Sequence, residues 1–266
     1  MTDSVRAPAV AGTFYPSSAS ELGALVDRLL AAASVPADAP CPKALIVPHA
    51  GYVYSGPIAA SAFARIAPHR ERITRVVLVG VSHRVYVEGL ATPGCARLRT
   101  PLGEIEIDRE ALRGLGGIED NVAAHAREHS LEVELPFLQR VAPHAKIVAL
   151  AGSRAEPERV GRVLEALWGG PETLIVISSD LSHYLPYAQG RELDRETCAR
   201  ITAFDMAITG DRACGSVGIN GLAWIARKKQ LRCELIDLRS SGDTAGSRDE
   251  VVGYAAFALY EGDEGT

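Results

Sequence analysis

Short apolar runs rich in β-branched residues alternate along the chain with longer segments whose apolar residues recur at helical spacing. The short runs predict strands and the longer segments predict amphipathic helices. Most of the runs are almost continuously apolar rather than alternating, so both faces of each predicted strand should be buried. This pattern is typical of a mostly parallel or mixed sheet that helices cover on both sides.

The predicted strands are Ala44–Val47, Arg75–Val81, Lys146–Ala151, Thr173–Ser178, Cys233–Leu238 and Val251–Leu259. The predicted helices are Ala19–Ala33, Pro57–Ala67, Leu131–Ala142, Pro157–Trp168, Glu192–Ile208 and Gly218–Lys229. No repeat or interdomain linker divides them, so residues 1–266 are predicted to form a single α/β domain with a central sheet flanked by helices.

Three segments depart from this alternation. Arg84–Asp108 has glycines and prolines between short apolar stretches and predicts a hairpin-like excursion. Ala31–Pro42 is rich in Ala and Pro and predicts a surface connection. Gly262–Thr266 is polar and predicts a frayed terminus.

Composition and charge exclude several classes of protein. Hydrophobic residues make up 47% and charged residues 23% of the 266 residues, which excludes wholesale disorder. The net charge of −5 argues against a nucleic-acid partner. The longest apolar run, Tyr254–Tyr260, is far shorter than the roughly 20 residues of a membrane span. The five cysteines form no CxxC pair, which indicates reduced thiols and a cytoplasmic location.

Histidine or aspartate follows the end of four predicted strands. His49, His83 and Asp180 each follow an apolar run, His183 comes three residues after Asp180, and Asp243 follows the fifth strand. Ligands of open α/β sheets bind beyond the carboxyl ends of the strands. If these strands are parallel neighbours, the five side chains converge on one pocket.

Two imidazoles and a carboxylate form a donor set that can bind a metal ion. On one face of an ion they form the set used by non-haem Fe(II) oxygenases, which leaves positions for a substrate and O₂. Zinc can use the same donors with a water in the fourth position. Purely structural roles remain open as alternatives. A histidine after a strand often only forms local hydrogen bonds, Asp180 could cap a helix, and Asp243 could stabilise a turn.

Two further groups lie near the predicted pocket. His125 and His129 are four residues apart at the entry to a predicted helix, and we expect His129 to be the pocket residue. Tyr52 and Tyr54 follow His49 in a glycine-containing segment. They either line a substrate pocket or pack a tight turn.

Several multi-residue motifs occur in an order that resembles a known family. They are Pro8–Pro16, Pro48–Gly56, Ser82–His83, Glu128–Pro136, Ser178–His183 and Val252–Ala256. Together they resemble the Memo family, whose prokaryotic members are also called AmmeMemoRadiSam system protein B. The resemblance covers nearly the whole chain.

The resemblance implies a fold similar to class III extradiol dioxygenases of the protocatechuate type, which use Fe(II) and O₂ to cleave catechol rings. By motif, His49 and His83 would bind the metal, and His183 would be the catalytic acid/base with Asp180 beside it. His129 would be a further catalytic pocket residue. Animal members have a cysteine as third ligand, whereas this chain has no cysteine close by and offers Asp243 instead.

A carboxylate in place of a thiolate favours Fe(II), Mn(II) or Zn(II) over Cu(I). We therefore expect Fe(II) as the cofactor, with Zn or Cu as alternatives. The first functional hypothesis is a dioxygenase-like oxidoreductase that acts on a catecholic or related diol. The alternatives are a non-catalytic metal- or peptide-binding protein that works with the radical-SAM and AMMECR-type partners implied by the family name, and a zinc hydrolase.

Overall fold

Helices cover both faces of a large mixed sheet in the computed structural model, which describes residues 4–36 and 39–262. The strands are β1 (Val5–Arg6), β2 (Ala44–Val47), β3 (Arg75–Val81), β4 (Leu90–Thr92), β5 (Arg97–Thr100), β6 (Gly103–Glu106), β7 (Ile118–Asp120), β8 (Lys146–Gly152), β9 (Thr173–Ser178), β10 (His183–Leu185), β11 (Arg232–Ser240) and β12 (Val251–Tyr260). The α-helices are α1 (Ala19–Ala32), α2 (Tyr52–Phe63), α3 (Arg109–Leu112), α4 (Val122–Ala126), α5 (Leu135–Val141), α6 (Pro157–Ala166), α7 (Tyr187–Thr202) and α8 (Ser216–Lys228). Within the described ranges, no helix is long and apolar enough to cross a membrane.

The centre of the large sheet consists of four adjacent parallel strands in the order β2-β9-β3-β8. On one side, β12 pairs antiparallel with β2, and both β10 and β11 pair antiparallel with β12. On the other side, β4 pairs antiparallel with β8, and β7 pairs parallel with β4. The expected α/β architecture with a mixed sheet between helices is therefore confirmed. β1, β5 and β6 form a second, three-stranded sheet, and β6 contacts β8 of the large one.

Alternate residues of the central strands enter two separate cores. In β3, Val76 and Leu78 belong to the core under α1, α2 and α5, whereas Val77 and Val79 belong to the core under α6 and α8. All four side chains are fully buried. This two-sided burial is the physical reason for the nearly continuous apolar runs in the sequence.

The strand predictions agree closely with the structure, whereas some helix boundaries differ. The helix predicted from Pro57 begins five residues earlier, at Tyr52. Proline at this position removes one backbone hydrogen bond, to the carbonyl of Val53, and that residue is exposed to solvent. The helix predicted over Leu131–Ala142 is a 3₁₀ turn, Glu132–Glu134, followed by α5, with Pro136 in the first α-helical turn.

The predicted excursion Arg84–Asp108 contains the antiparallel hairpin β5–β6, with Thr100 opposite Gly103. Its first part also supplies β4, which sequence analysis did not predict. The connection predicted over Ala31–Pro42 carries no helix or strand in its described residues after Ala32. Of the predicted frayed terminus, all but Gly262 lies outside the described residues.

Candidate metal centre

The carboxyl ends of three adjacent parallel strands meet at one edge of the large sheet. His49 follows β2, Asp180 follows β9 and His83 follows β3, and these strands are neighbours in that order. The convergence expected from the sequence therefore occurs for these three side chains. Their position matches the ligand-binding edge of open α/β sheets.

Three histidines form a compact cluster at this edge. One ring nitrogen each of His49, His83 and His129 lies within 4.8 Å of the others, so the three could hold a metal ion. The rings of His83 and His129 are stacked with centroids 4.8 Å apart, and the ring of His49 stands edge-on to both. His129 thus joins the two strand-end histidines as a third potential ligand.

The carboxylate of Glu128 holds two of the three histidines. Its Oε2 accepts a hydrogen bond from the backbone N–H of His83 at 2.7 Å, and its Oε1 lies 2.9 Å from Nδ1 of the same histidine. The same Oε1 accepts from the backbone N–H groups of His129 and Ser130 at 2.8 and 2.9 Å. Burial acts to raise the pKa of Glu128, but the hydrogen bonds from His83 and the backbone outweigh it and hold the pKa well below the usual range.

The segment that carries Glu128 and His129 packs directly on the end of β3. Ser130 donates its hydroxyl hydrogen to the carbonyl of Val81 at 2.7 Å. A Cβ on Gly80 would lie only 2.6 Å from the hydroxyl oxygen of Ser130 and 2.7 Å from Leu131. Glycine at position 80 therefore permits the close approach that brings His129 beside His83.

His49 is buried and held from two sides. Its backbone N–H donates to Oδ1 of Asp180 at 2.8 Å, and its Nδ1 lies 2.7 Å from the hydroxyl oxygen of Ser178. Burial, together with the neighbouring His129 and His83, lowers the pKa of His49 well below its ordinary value. Burial lowers the pKa of His129 to about 4 and raises that of Asp180 to about 7. His49 and His129 are therefore neutral at neutral pH, which leaves imidazole lone pairs available for a metal.

Cys214 is a residue of the centre that sequence analysis did not single out. Its Sγ lies 3.4 Å from Nε2 of His49 and 3.7 Å from the carbonyl oxygen of Asp180. Burial raises the pKa of this thiol to about 12, so the sulfur is protonated in the metal-free protein. Cys214 precedes Gly215, the N-cap residue of α8, and no motif in its flanking sequence marks it.

The N-terminal segment is anchored next to the histidines. Glu132 accepts hydrogen bonds from Arg6 at 2.7 Å, from the backbone N–H groups of Ala9 and Val10, and from the hydroxyl of Tyr15 at 2.6 Å. These contacts fix the segment in which the ring of Phe14 packs against His129, with centroids 4.8 Å apart. Two of the family motifs, Pro8–Pro16 and Glu128–Pro136, therefore meet at the candidate centre.

Two of the predicted pocket residues have clear environments. His183 begins β10 opposite Val252, and burial lowers its pKa, so its imidazole is neutral at neutral pH. Tyr52 is packed in the core, and its hydroxyl donates to the carbonyl of Val133 at 2.7 Å, which favours the packing alternative for this residue. Tyr54 is 39% exposed at the surface.

Asp243 is not part of the histidine cluster. It ends a 3₁₀ turn after β11, where its Oδ2 accepts hydrogen bonds from the backbone N–H and hydroxyl of Ser240. Its Oδ1 accepts from the hydroxyl of Tyr187 at 2.5 Å. Because β12 lies between β11 and β2, the end of β11 is about 10 Å farther along the sheet than the end of β2. His129 completes the cluster of the described residues. A ligand role for Asp243 stays a prediction.

The donor set fits a metal ion. Imidazole suits Zn, Cu, Fe and Ni, so three imidazoles do not by themselves select one of them. Each of the three histidines has a carboxylate or hydroxyl oxygen within 3.3 Å of Nδ1, the support that metal-bound histidines usually have. The described residues thus form a single α/β domain with a three-histidine site that could hold a metal ion.

Comparison with known proteins gives the family. The profile of the Memo-like protein family matches residues 6–258. A MEMO1 family protein of Methanopyrus kandleri is 35% identical, over 97% of this chain and 99% of its own length. A MEMO1 family protein of Aquifex aeolicus is 36% identical, over 94% of this chain and 97% of its own length. The chain belongs to the Memo family, as its motifs indicated.

Proposed function

We propose that the protein is a metal-dependent enzyme of the extradiol dioxygenase type, whose metal is held by His49, His83 and His129. The observation that carries the proposal is the cluster of three histidine nitrogens within 4.8 Å at the carboxyl edge of the sheet. Fe(II) is the proposed ion and a catecholic or related diol the proposed substrate. When bound, the ion would supply a Lewis acid and, in the case of iron, a site for O₂.

His183 is the proposed general base in this reaction. Its neutral imidazole can accept the proton of a substrate hydroxyl and return it at a later step. His183 acts to lower the pKa of His49, and His83 acts to lower the pKa of His183. Both effects support a position of His183 facing the cluster. Asp180 would act differently, because its carboxyl accepts the backbone N–H of His49 and so orients that histidine.

The overall reaction needs no further reductant. Extradiol cleavage breaks one carbon–carbon bond of the diol ring and adds both atoms of O₂ to the product, so the four electrons that reduce O₂ come from the substrate.

Phe14 on one side of His129 supplies an apolar wall that limits access of water.

The first experiment is anaerobic titration of the metal-free protein with Fe(II) and with Zn(II). We compare the wild type with His129→Ala and with Asp243→Ala. The three-histidine set predicts that His129→Ala weakens binding at least about 100-fold, whereas Asp243→Ala leaves it almost unchanged. The reverse result would replace the proposed set by His49, His83 and Asp243.

The second experiment measures O₂ consumption by the Fe(II)-loaded protein with catechol and with 3,4-dihydroxybenzoate. Catechol monomethyl ether is the matched control, because it lacks the second free hydroxyl. His183→Gln should lower turnover about 100-fold or more without weakening metal binding. Stoichiometric iron with no O₂ uptake on any diol would refute the dioxygenase assignment. Hydrolysis of a test ester by the Zn(II)-loaded protein would then favour a zinc hydrolase, in which a zinc-bound water is the nucleophile.

A further inference from the structure

The hydroxyl of Ser178 contacts three polar atoms at the back of His49. Its oxygen lies 2.7 Å from Nδ1 of His49, 2.6 Å from the carbonyl oxygen of Ser130 and 2.9 Å from Oε1 of Glu134. Ser178 is fully buried. All three contacts have hydrogen-bond length, and we treat each as a hydrogen bond that contains one hydrogen.

Counting hydrogens assigns a direction to each contact. A serine hydroxyl has one hydrogen to donate and two lone pairs to accept with. The carbonyl of Ser130 can only accept, so the hydroxyl hydrogen of Ser178 must point to it. Nothing is then left to donate to His49 or to Glu134. Both of these residues must therefore donate to Ser178, the first as Nδ1–H and the second as a protonated carboxyl.

The surroundings of Glu134 agree with a neutral carboxyl. The residue is fully buried, and its Oε2 has no hydrogen-bond partner. Among the described residues, no lysine or arginine forms an ion pair with it. Burial raises the pKa of Glu134 well above its usual range. The contact with Ser178 acts to lower this pKa and the charge of Asp180 acts to raise it, but burial is the largest effect. An ionised Glu134 would be an uncompensated buried charge.

We propose that Glu134 is a positioning residue that donates its carboxyl proton to Ser178 and so fixes His49 as the tautomer with a free lone pair on Nε2. This inference rests on the proposed metal centre for its functional meaning. Nε2 is the nitrogen that lies next to Cys214 rather than Ser178. With Nδ1 occupied by the serine, Nε2 is the atom with which His49 would bind a metal.

The tautomer and the protonation state can be measured in the metal-free protein. We expect ¹⁵N chemical shifts of His49 that report a protonated Nδ1 and an unprotonated Nε2 in the wild type. Ser178→Ala should move the population toward the other tautomer. Ser182→Ala is the matched control, since this serine is equally buried but forms no hydrogen bond with His49 among the described residues. The control should leave the shifts of His49 unchanged.

Infrared spectroscopy tests Glu134 independently of the serine variant. The difference spectrum between the wild type and Glu134→Gln at neutral pH should show loss of the carbonyl stretch of a neutral carboxyl. The glutamine amide can still donate to Ser178, so this variant should retain the tautomer and bind Zn(II) within about threefold of the wild type. Glu134→Leu, which has no donor, should bind Zn(II) about tenfold more weakly or worse.

Loss of carboxylate bands instead of the neutral band in Glu134→Gln would overturn the inference. So would a wild-type His49 protonated on Nε2, or an unchanged tautomer in Ser178→Ala. These readouts need no metal, so they separate the two proposals. The expected tautomer and neutral carboxyl in a protein that binds no metal would support the hydrogen-bond assignment and refute the proposed function.

Discussion

Removal of Glu128 should show how strongly the protein depends on this one carboxylate. Glu128→Ala leaves the backbone N–H groups of His83, His129 and Ser130 and the ring of His83 without their acceptor. Each buried hydrogen bond contributes a net free energy of about 1 kcal/mol, and bonds to a charged group contribute more. We expect the free energy of unfolding to fall by about 4 kcal/mol, a large fraction of the roughly 5–15 kcal/mol of a typical domain.

Urea unfolding of the metal-free protein, followed by circular dichroism, measures this change, provided that the dependence of the free energy of unfolding on urea concentration is the same in both proteins. Glu128→Gln keeps the volume and one carbonyl oxygen, so about half of the loss is expected for it. Glu119→Ala on the exposed strand β7 is the matched control and should change the stability by less than about 0.5 kcal/mol. A loss below about 1 kcal/mol in Glu128→Ala would refute the reasoning.

The same variants test the charge of Glu128. Its pKa is held below the usual range in the folded protein, so its stabilising effect is fully present above the ordinary glutamate pKa of about 4.3. The effect is lost as the pH falls below that value. The stability difference between the wild type and Glu128→Gln should therefore shrink below pH ~4.3. A difference that stays constant across that range would mean that charge contributes nothing.

Two further predictions concern parts of the fold outside the histidine cluster. Burial lowers the pKa of His125, which contacts the carbonyl of Ala91, from its usual 6.5 to about 4, so the native state binds fewer protons than the unfolded chain in this window. The free energy of unfolding of the wild type should fall as the pH drops through this window, and His125→Gln should lose about 3 kcal/mol of that pH dependence. Urea unfolding at several pH values measures the dependence, and an equal dependence in the wild type and the variant would contradict this. In Gly253→Ala the new Cβ would lie 1.9 Å from the carboxylate of Asp194, so we expect a loss of at least about 2 kcal/mol. Thermal unfolding measures this loss against Gly210→Ala, where the added Cβ meets open space, and equal melting temperatures would contradict the clash.

Sequence analysis identified the strand-end residues because their position follows from local pattern alone. An apolar run that ends in histidine places that histidine at the carboxyl end of its strand, and in a parallel sheet these ends lie at one edge. His49 and His83 were found in this way. The family motifs contain the same two histidines, so the strand-end argument and the resemblance predicted the same two metal ligands.

The third member of the cluster could not be found in that way. His129 lies on an irregular segment, and its approach to His83 depends on the missing side chain of Gly80. Asp243 follows a strand as expected, but the pairing order that puts β12 between β11 and β2 is a long-range property. Cys214 reaches His49 because α8 packs against the sheet, which no local signal records.

Two of the buried glutamates beside the histidines, Glu128 and Glu134, have different charge states for one physical reason. Glu128 receives several N–H donors, which stabilise its carboxylate, whereas Glu134 meets a serine hydroxyl whose single hydrogen points elsewhere. A divalent ion bound to three imidazoles beside Glu128 would give a centre with a net charge of about +1 when the carboxyl of Asp180, whose pKa is about 7, is protonated. Such a centre binds a monoanion, such as a singly deprotonated catechol, better than a neutral molecule. If Glu134 were ionised as well, this preference would disappear, so the protonation state of Glu134 bears on which diols the centre can select.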